Sequence, residues 1–421
     1  MKRPTVASLK KVTPENLANL GAERLAAILS AVAETRPDVK RRLRMELAAE
    51  QGAEHLTVEI DKRLNTIATS RSKVSWRQRP SFVGDLDVLR RLIAERLAPL
   101  SAPAALDRMW QFMDLARRLG LRVRDKDGTL EAVFQRAAGD IGALAGRADG
   151  SVADALVEAI ARNPGRWIGW LPPMIAQAPR PLFASALKLM QDDAASGPDL
   201  TRIVRLLADA TGDVDAFVGA FSPAARKTPS VAAEAGRRLL AAGRTEEAGR
   251  LLLAAQPETR RGLLGARERL SEPDFDWETV WIDYLEAAGR TDEAQAVRWS
   301  SFQRTLSIER AKAFASRLTG FDDVEAESRA FEHAAAHADF RRALQFLMEW
   351  PALPEAASLI QTRADEADVP GDEAELWAGR LRARHPQAAH VLLRRAAAIA
   401  FRRRDVTAGE RLTREADAIG Q

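Results

Sequence analysis

One eight-residue phrase is written almost twice in this chain. Ala241-Ala242-Gly243-Arg244-Thr245-Glu246-Glu247-Ala248 returns 46 positions later as Ala287-Ala288-Gly289-Arg290-Thr291-Asp292-Glu293-Ala294. Each part of the phrase has a physical reading. Glycine accepts the left-handed conformation that closes a helix, Thr caps the next helix, and acids in its first turn face the positive end of the dipole. A small Ala one turn further lets the second helix pack closely on the first. A looser third copy is Ala338-Asp339-Phe340-Arg341-Arg342-Ala343, and a weaker fourth lies near Asp405. Helix–turn–helix units repeated at such a period imply a solenoid of tetratricopeptide or HEAT type.

The remaining sequence agrees with helix from end to end. Alanine, the best helix former, supplies 79 of 421 residues, while tyrosine occurs once, at Tyr284. Thr13-Pro14-Glu15 reads as an N-cap with Pro at the first helical position. Leu25, Ile28, Leu29 and Val32 follow at the spacing of a helix with one buried face. A second helix ends at Glu50 before Gly52, and a third covers Glu54 to Thr69 with Val58, Ile60, Leu64 and Ile67 apolar. Past a polar connector at 70–81, the stripe returns at Leu86 to Ile93 and again at Met109, Phe112, Met113 and Ala116. Asp127-Gly128 reads as a turn. The prolines at Asn163-Pro164, Pro172-Pro173, Ser222-Pro223, Pro351 and Pro370-Gly371 predict the ends of successive helices. The expected fold is all-α: a helical bundle over residues 1–150, then a helix-pair solenoid over residues 151–421. Charge divides at the same place. Residues 1–150 hold 27 basic against 19 acidic side chains, and residues 151–421 hold 36 against 40.

Several chemistries are excluded outright. The chain has no cysteine, so disulfides, thiolate zinc sites, iron–sulfur clusters and thiol nucleophiles are all absent. A reducing compartment allows this, and Met1-Lys2-Arg3-Pro4 has no apolar stretch behind it to make a secretory signal. The apolar run Val391 to Phe401 is interrupted by Arg394 and Arg395 and is too short to span a bilayer. The expectation is a cytoplasmic protein that needs no membrane and no cofactor.

The most pointed local feature is the segment Lys62 to Gly84, which carries six Lys and Arg residues and no acid. Arg71, Lys73, Arg77 and Arg79 could neutralise phosphates, and Trp76 could stack on a base. The plainer alternative is a charged connector in which Trp76 anchors against the core and Arg77 pairs with an acid. Arg402-Arg403-Arg404 fits a helix C-terminus, where cations face the dipole favourably. His333 and His337 share a helix face at i, i+4, but Ala334 stands where a metalloprotease would place its Glu, and no third ligand is indicated. Ser185-Ala186-Leu187-Lys188 and Ser70-Arg71-Ser72-Lys73 match Ser-x-x-Lys without the companion elements of that chemistry. No phosphate-cradling glycine loop is present. The pattern leans away from an enzyme, although catalytic residues need not be neighbours in sequence. Trp167 with Trp170, and Trp277 with Trp281, are spaced to fill gaps between stacked helices; the alternative is an aromatic anchor for a partner. The leading expectation is therefore a scaffold that binds a protein or peptide, with nucleic-acid binding through the basic N-terminal third as the alternative.

Two stretches carry a resemblance. Leu20-Gly21-Ala22-Glu23-Arg24-Leu25, through Arg41-Arg42-Leu43-Arg44, to Ser70-Arg71-Ser72 and Trp76-Arg77 resembles the opening of an uncharacterised bacterial all-helical family. Arg382 to Ala389 with Leu392-Leu393-Arg394 resembles that family's C-terminal helical pair and the helical tail of some bacterial SWIM zinc-finger proteins. The resemblance implies a cytoplasmic helical-repeat protein and brings no activity with it. A SWIM finger needs cysteine ligands that this chain lacks, so no DNA role follows from that likeness.

Overall fold

The structure is a computed structural model that describes residues 12–147, 152–192, 197–257, 275–318 and 322–419. The basic start Met1-Lys2-Arg3-Pro4 lies outside the described residues. Helix makes up 81% of the structure, and the described residues hold no strand, only an isolated bridge between Val74 and Val123. The fold is all-α. Among the described residues no helix is long and apolar enough to cross a membrane.

The chain divides into two compact units, Met1–Phe221 and Ser222–Gln421. The contacts thus part at Phe221, while the shift in charge and texture in the sequence falls near residue 150. Unit 1 contains α1 (Pro14–Ala18), α2 (Ala22–Thr35), α3 (Pro37–Glu50), α4 (Ala53–Thr69) and α5 (Arg79–Arg91). It continues with α6 (Ala102–Arg122), α7 (Thr129–Ala145), α8 (Val152–Arg162), α9 (Pro164–Ile175), α10 (Arg180–Asp192), α11 (Pro198–Thr211) and α12 (Val214–Gly219). Successive helices pack as pairs, and the pairs stack: α7, α9 and α11 touch in one row, α8 and α10 in the other. Much of the predicted core is buried: Ile60, Leu64, Ile67, Met109, Phe112, Met113 and Ala116 all are, and Leu56, outside the predicted stripe, joins them.

Three sequence expectations fail in unit 1. The stripe on α2 is not covered: Ile28, Leu29 and Val32 remain 39–45% exposed, and Ala33 is the helix's one buried residue. The reason is position: among the described residues α2 packs chiefly on α3, at the end of the row. Val58 on α4 is likewise half exposed. Pro172-Pro173 does not end α9, which runs on to Ile175 with the Ala176 amide bonded to the Pro172 carbonyl. A break in helical geometry comes instead after α5, where Leu92–Leu97 widens into a π-helical turn. Pro99 explains it, since a proline ring clashes with the carbonyl four residues back and a wider turn relieves that contact.

Unit 2 contains α13 (Pro229–Ala241), α14 (Thr245–Ala254), α15 (Phe275–Ala287), α16 (Thr291–Thr305), α17 (Ile308–Ala315) and α18 (Asp322–Ala335). It ends with α19 (Phe340–Glu349), α20 (Leu353–Thr362), α21 (Gly371–Leu381), α22 (Pro386–Arg402) and α23 (Val406–Ile419). The twin phrases form matching turns. Gly243 and Gly289 both have φ of 73°. The Arg244 amide bonds to the Leu239 carbonyl at 2.8 Å and the Arg290 amide to the Leu285 carbonyl at 2.8 Å, closing Schellman motifs. Ala248 and Ala294 are fully buried at the helix contacts. The threonines are not caps, however. Arg244 and Arg290 occupy the N-cap positions, Thr245 and Thr291 are the first helical residues, and each arginine clamps the Glu three positions on at 2.6–2.8 Å. Among the described residues no side chain accepts from the first-turn amides; the start of each helix is held by the guanidinium–carboxylate clamp alone.

The same turn recurs where the sequence shows it faintly or not at all. Near Asp405 the left-handed residue is Arg404, with φ of 62°, and Asp405 caps α23 by accepting from the Ala408 amide at 3.0 Å. Gly409 then stands where Ala248 stands in the first copy, and a Cβ there would sit 2.7 Å from the Phe401 ring. Another copy, at Gly212 with φ of 75° and Asp213, links α11 to α12. In the third copy Asp339 caps α19 through the Arg342 amide, and Ala343 is buried.

Glycine substitutions separate backbone strain from packing. Gly243→Val and Gly289→Val should each lower stability by about 1 kcal/mol or more through left-handed strain alone, since open space surrounds both positions. Gly249→Ala should cost about 1–3 kcal/mol for a different reason, because the new Cβ would lie 2.3 Å from the Tyr284 ring. Gly84→Ala, in open space inside α5, should instead stabilise by about 0.5–1 kcal/mol. Urea unfolding midpoints of the four variants check this ordering.

Candidate functional site

The basic connector between α4 and α5 is held from below by arginines of α6. The Arg122 guanidinium donates to the Ile67 carbonyl, the Ser70 hydroxyl and the Ser72 carbonyl, each at 2.9 Å. Arg118 donates to the Ala68 carbonyl at 2.7 Å. The Val74 amide bonds to the Arg122 carbonyl at 3.1 Å, which lays the connector alongside the end of α6. Arg79 donates to the Arg124 carbonyl at 2.9 Å and pairs with Asp127 at 2.7 Å. The turn after α6 is itself fixed by Asp125, whose carboxylate accepts the Leu130 and Glu131 amides at 3.1 and 3.0 Å. Burial pushes that carboxyl up, but the two amides, the Thr129 hydroxyl and the nearby Arg79 charge together outweigh it and hold Asp125 below the ordinary carboxylate range.

This frame sorts the five candidate residues. Arg79 is spent on structure. Arg71, Lys73 and Arg77 are exposed and have no acidic partner among the described residues, and Arg124 and Lys126, in the turn after α6, are exposed as well. Trp76 is 76% exposed and therefore does not anchor the connector in the core; Arg77 lies over its ring, 5.1 Å from the centroid. Leu121, at 82% exposure, ends α6 beside the connector. Sequence reasoning missed Leu121 and Arg124, which reach the patch only through the pairing of Val74 with Val123.

A second feature of unit 1 is a cleft of about 220 Å³ between α6, α8 and α9. Its apolar floor contains Trp110, Met113 and Trp167. Trp167 and Trp170 are buried and meet edge to face at 5.5 Å, and the Trp170 indole donates to Glu131 at 2.5 Å. They fill the gap between helices as their spacing predicts. Trp277 does the same in unit 2, where its indole donates to the Leu252 carbonyl at 3.1 Å.

Polar clusters elsewhere are structural in their geometry. In unit 2 the Ser301 hydroxyl, fully buried, donates to Glu278 at 2.7 Å and accepts from Arg310 at 3.2 Å. Arg310 also reaches the Thr279 hydroxyl at 2.7 Å, and Arg304 pairs with Glu278. The network ties α15, α16 and α17 together and leaves Ser301 no path to a substrate. His333 and His337 are each engaged with backbone groups, at Gln303 and Asp339. No group of three His, Asp or Glu side chains among the described residues is placed to hold a metal ion. Ser185 and Lys188 lie exposed on α10, and Ser70 is taken by Arg122.

Fold and surface together define an all-α protein of stacked helix pairs with a basic, aromatic connector held out to solvent. The chain belongs to a family of unknown function (DUF6880), whose model matches residues 7–198 and 192–408. Among curated proteins nothing matches it.

Removing the support should release the connector. Arg122→Ala should cost about 2 kcal/mol, as a charged donor of three hydrogen bonds is lost, and should speed hydrogen exchange at the Val74 amide. Arg71→Ala and Lys73→Ala should stay within about 0.5 kcal/mol of the parent. Asp125 adds a pH signature. Its folded pKa is depressed, so its contribution is complete above the ordinary carboxylate range and is lost as pH falls through the folded value. Asp125→Asn should remove that part of the acid dependence, read from unfolding midpoints between about pH 5 and 2.

Proposed function

We propose that this is a helical-repeat interaction protein, a cytoplasmic scaffold of tetratricopeptide-like helix pairs that binds a protein or peptide partner and has no catalytic activity of its own. The observation that carries the reading is the connector patch: Trp76 at 76% and Leu121 at 82% exposure, beside cations with no acidic partner among the described residues, on a segment fixed by Arg122. Exposed tryptophan and arginine are the side chains that most often dominate binding energy at protein interfaces, and prior rigidity lowers the entropy cost of binding. The surplus of positive charge favours a partner segment that carries acidic side chains.

A second reading is favoured by one detail. The Arg77–Trp76 pair, with Arg71 and Lys73 close in sequence, has the composition of a single-strand nucleic-acid contact. The test uses the triple variant Arg71→Ala, Lys73→Ala, Arg77→Ala, leaving Arg79 to its structural role. Under the scaffold reading, oligonucleotides bind the intact protein no tighter than about 10⁻⁴–10⁻⁶ M at physiological salt. A host protein recovered with the parent should be lost from the triple variant and from Trp76→Ala. A nanomolar, salt-resistant oligonucleotide complex abolished by the triple variant would put nucleic acid first instead.

A further inference from the structure

The cleft between α6, α8 and α9 is apolar below and charged above. Trp110 is half-buried, its ring 6.0 Å from that of Trp167 and tilted by 45°. The indole N–H groups of both have no hydrogen-bond partner among the described residues. At the rim, Arg162 is occupied: it holds Asp114 at 3.2 Å and Glu158 at 3.7 Å. Arg117 differs. It is exposed, lines the cleft, and has no ion-pair or hydrogen-bond partner among the described residues. Asn163 lines the cleft too, as the N-cap of α9, yet its side chain makes no capping hydrogen bond. The lining thus carries one cation without a partner among the described residues and several unused donors above an aromatic floor.

We propose that this cleft binds an aromatic carboxylate, the ring against Trp110 and the carboxylate on Arg117. Size sets the scale of the ligand. At about 220 Å³ the cleft is below the usual range of about 300–1,000 Å³ for drug-sized ligands, so it takes one side chain or a bicyclic fragment. Tilted and offset ring contacts are the favourable ones, and Trp110, half-buried in the cleft lining, keeps part of its ring free for one. A guanidinium without a partner is the group best suited to a planar carboxylate. The site does not depend on the connector patch, and its test is independent of that reading. The shared chemistry could come from a free small acid or from a chain end whose last residue is aromatic.

Isothermal titration of the full chain with indole-3-propionate, its amide, and the dipeptide acetyl-Gly-Trp tests this. Fragment-sized ligands reach a Kd of the order of 1 mM, and the acid should bind in that range. The amide should bind about tenfold more weakly, having lost the charge-assisted bond. Arg117→Gln, a change at an exposed residue, should bring acid and amide to equal affinity with the fold intact. Trp110→Phe should weaken both together. A peptide bound more tightly than indole-3-propionate assigns the site to chain ends, and the reverse assigns it to free acids. No binding of either acid up to about ten times that Kd overturns the proposal, as does equal affinity of acid and amide for the parent protein. A preference for the acid that survives in Arg117→Gln also overturns it.

Discussion

In reversal after reversal, this chain turns on a single residue in the left-handed region. That residue lets two terminal carbonyls of the finished helix find amides, at Gly212, Gly243, Gly289 and Arg404, and lets the next helix begin at once. With so short a turn the two helices must lie close, and the position five residues on decides how close. Ala248, Ala294 and Gly409 occupy it in three copies, and Gly409 has no room for even a methyl group beneath Phe401. At Arg404 a residue with a Cβ holds the left-handed position at a cost of about 1–2 kcal/mol, which the Asp405 cap on the following helix helps to offset.

Arginine holds much of the rest in place, and its two uses here are distinct. In unit 1, Arg90 is buried between Asp87 and Asp140 and joins α5 to α7, while Arg108 clamps Asp61 across α4 and α6. In unit 2, Arg310 sits among Ser301, Thr279 and the Phe275 ring, and Arg298 pairs with Glu286. Such side chains are costly to bury and damaging to remove. Arg71, Lys73, Arg77 and Arg117 do none of this. A cation with no structural duty, beside an exposed or half-buried tryptophan, is what both proposed binding surfaces share.

Helix class was legible because it rests on local physics: alanine content, stripe spacing and the glycine turns. What a stripe cannot say is whether another helix lies against it. Ile28, Leu29 and Val32 have the spacing of buried residues, but α2 stands at the end of its row. The phrase Gly-Arg-Thr-x-Glu was half legible. The glycine was read correctly from its left-handed role, whereas the threonine drew attention from the arginine, whose pairing with Glu247 or Glu293 depends on where the helix starts. Among the candidate site residues, charge alone could not separate Arg79 from Arg77. Asp127, which engages Arg79, is 48 positions away and arrives through tertiary packing. The cleft at Trp110 was not legible in the sequence, where Trp167, Trp170 and Met113 read only as core, because its walls come from three helices.

The contact between Gly249 and Tyr284 has a chemical consequence. Tyr284 is the chain's one tyrosine, and its ring lies where a side chain on Gly249 would be, between α14 and α15 and 4.9 Å from the Trp281 ring. Every product of a phenol-selective reagent, nitration or iodination alike, must therefore come from this one helix crossing. Because the ring is only partly buried, the rate at which the folded protein takes up such a label reports how accessible that crossing leaves it.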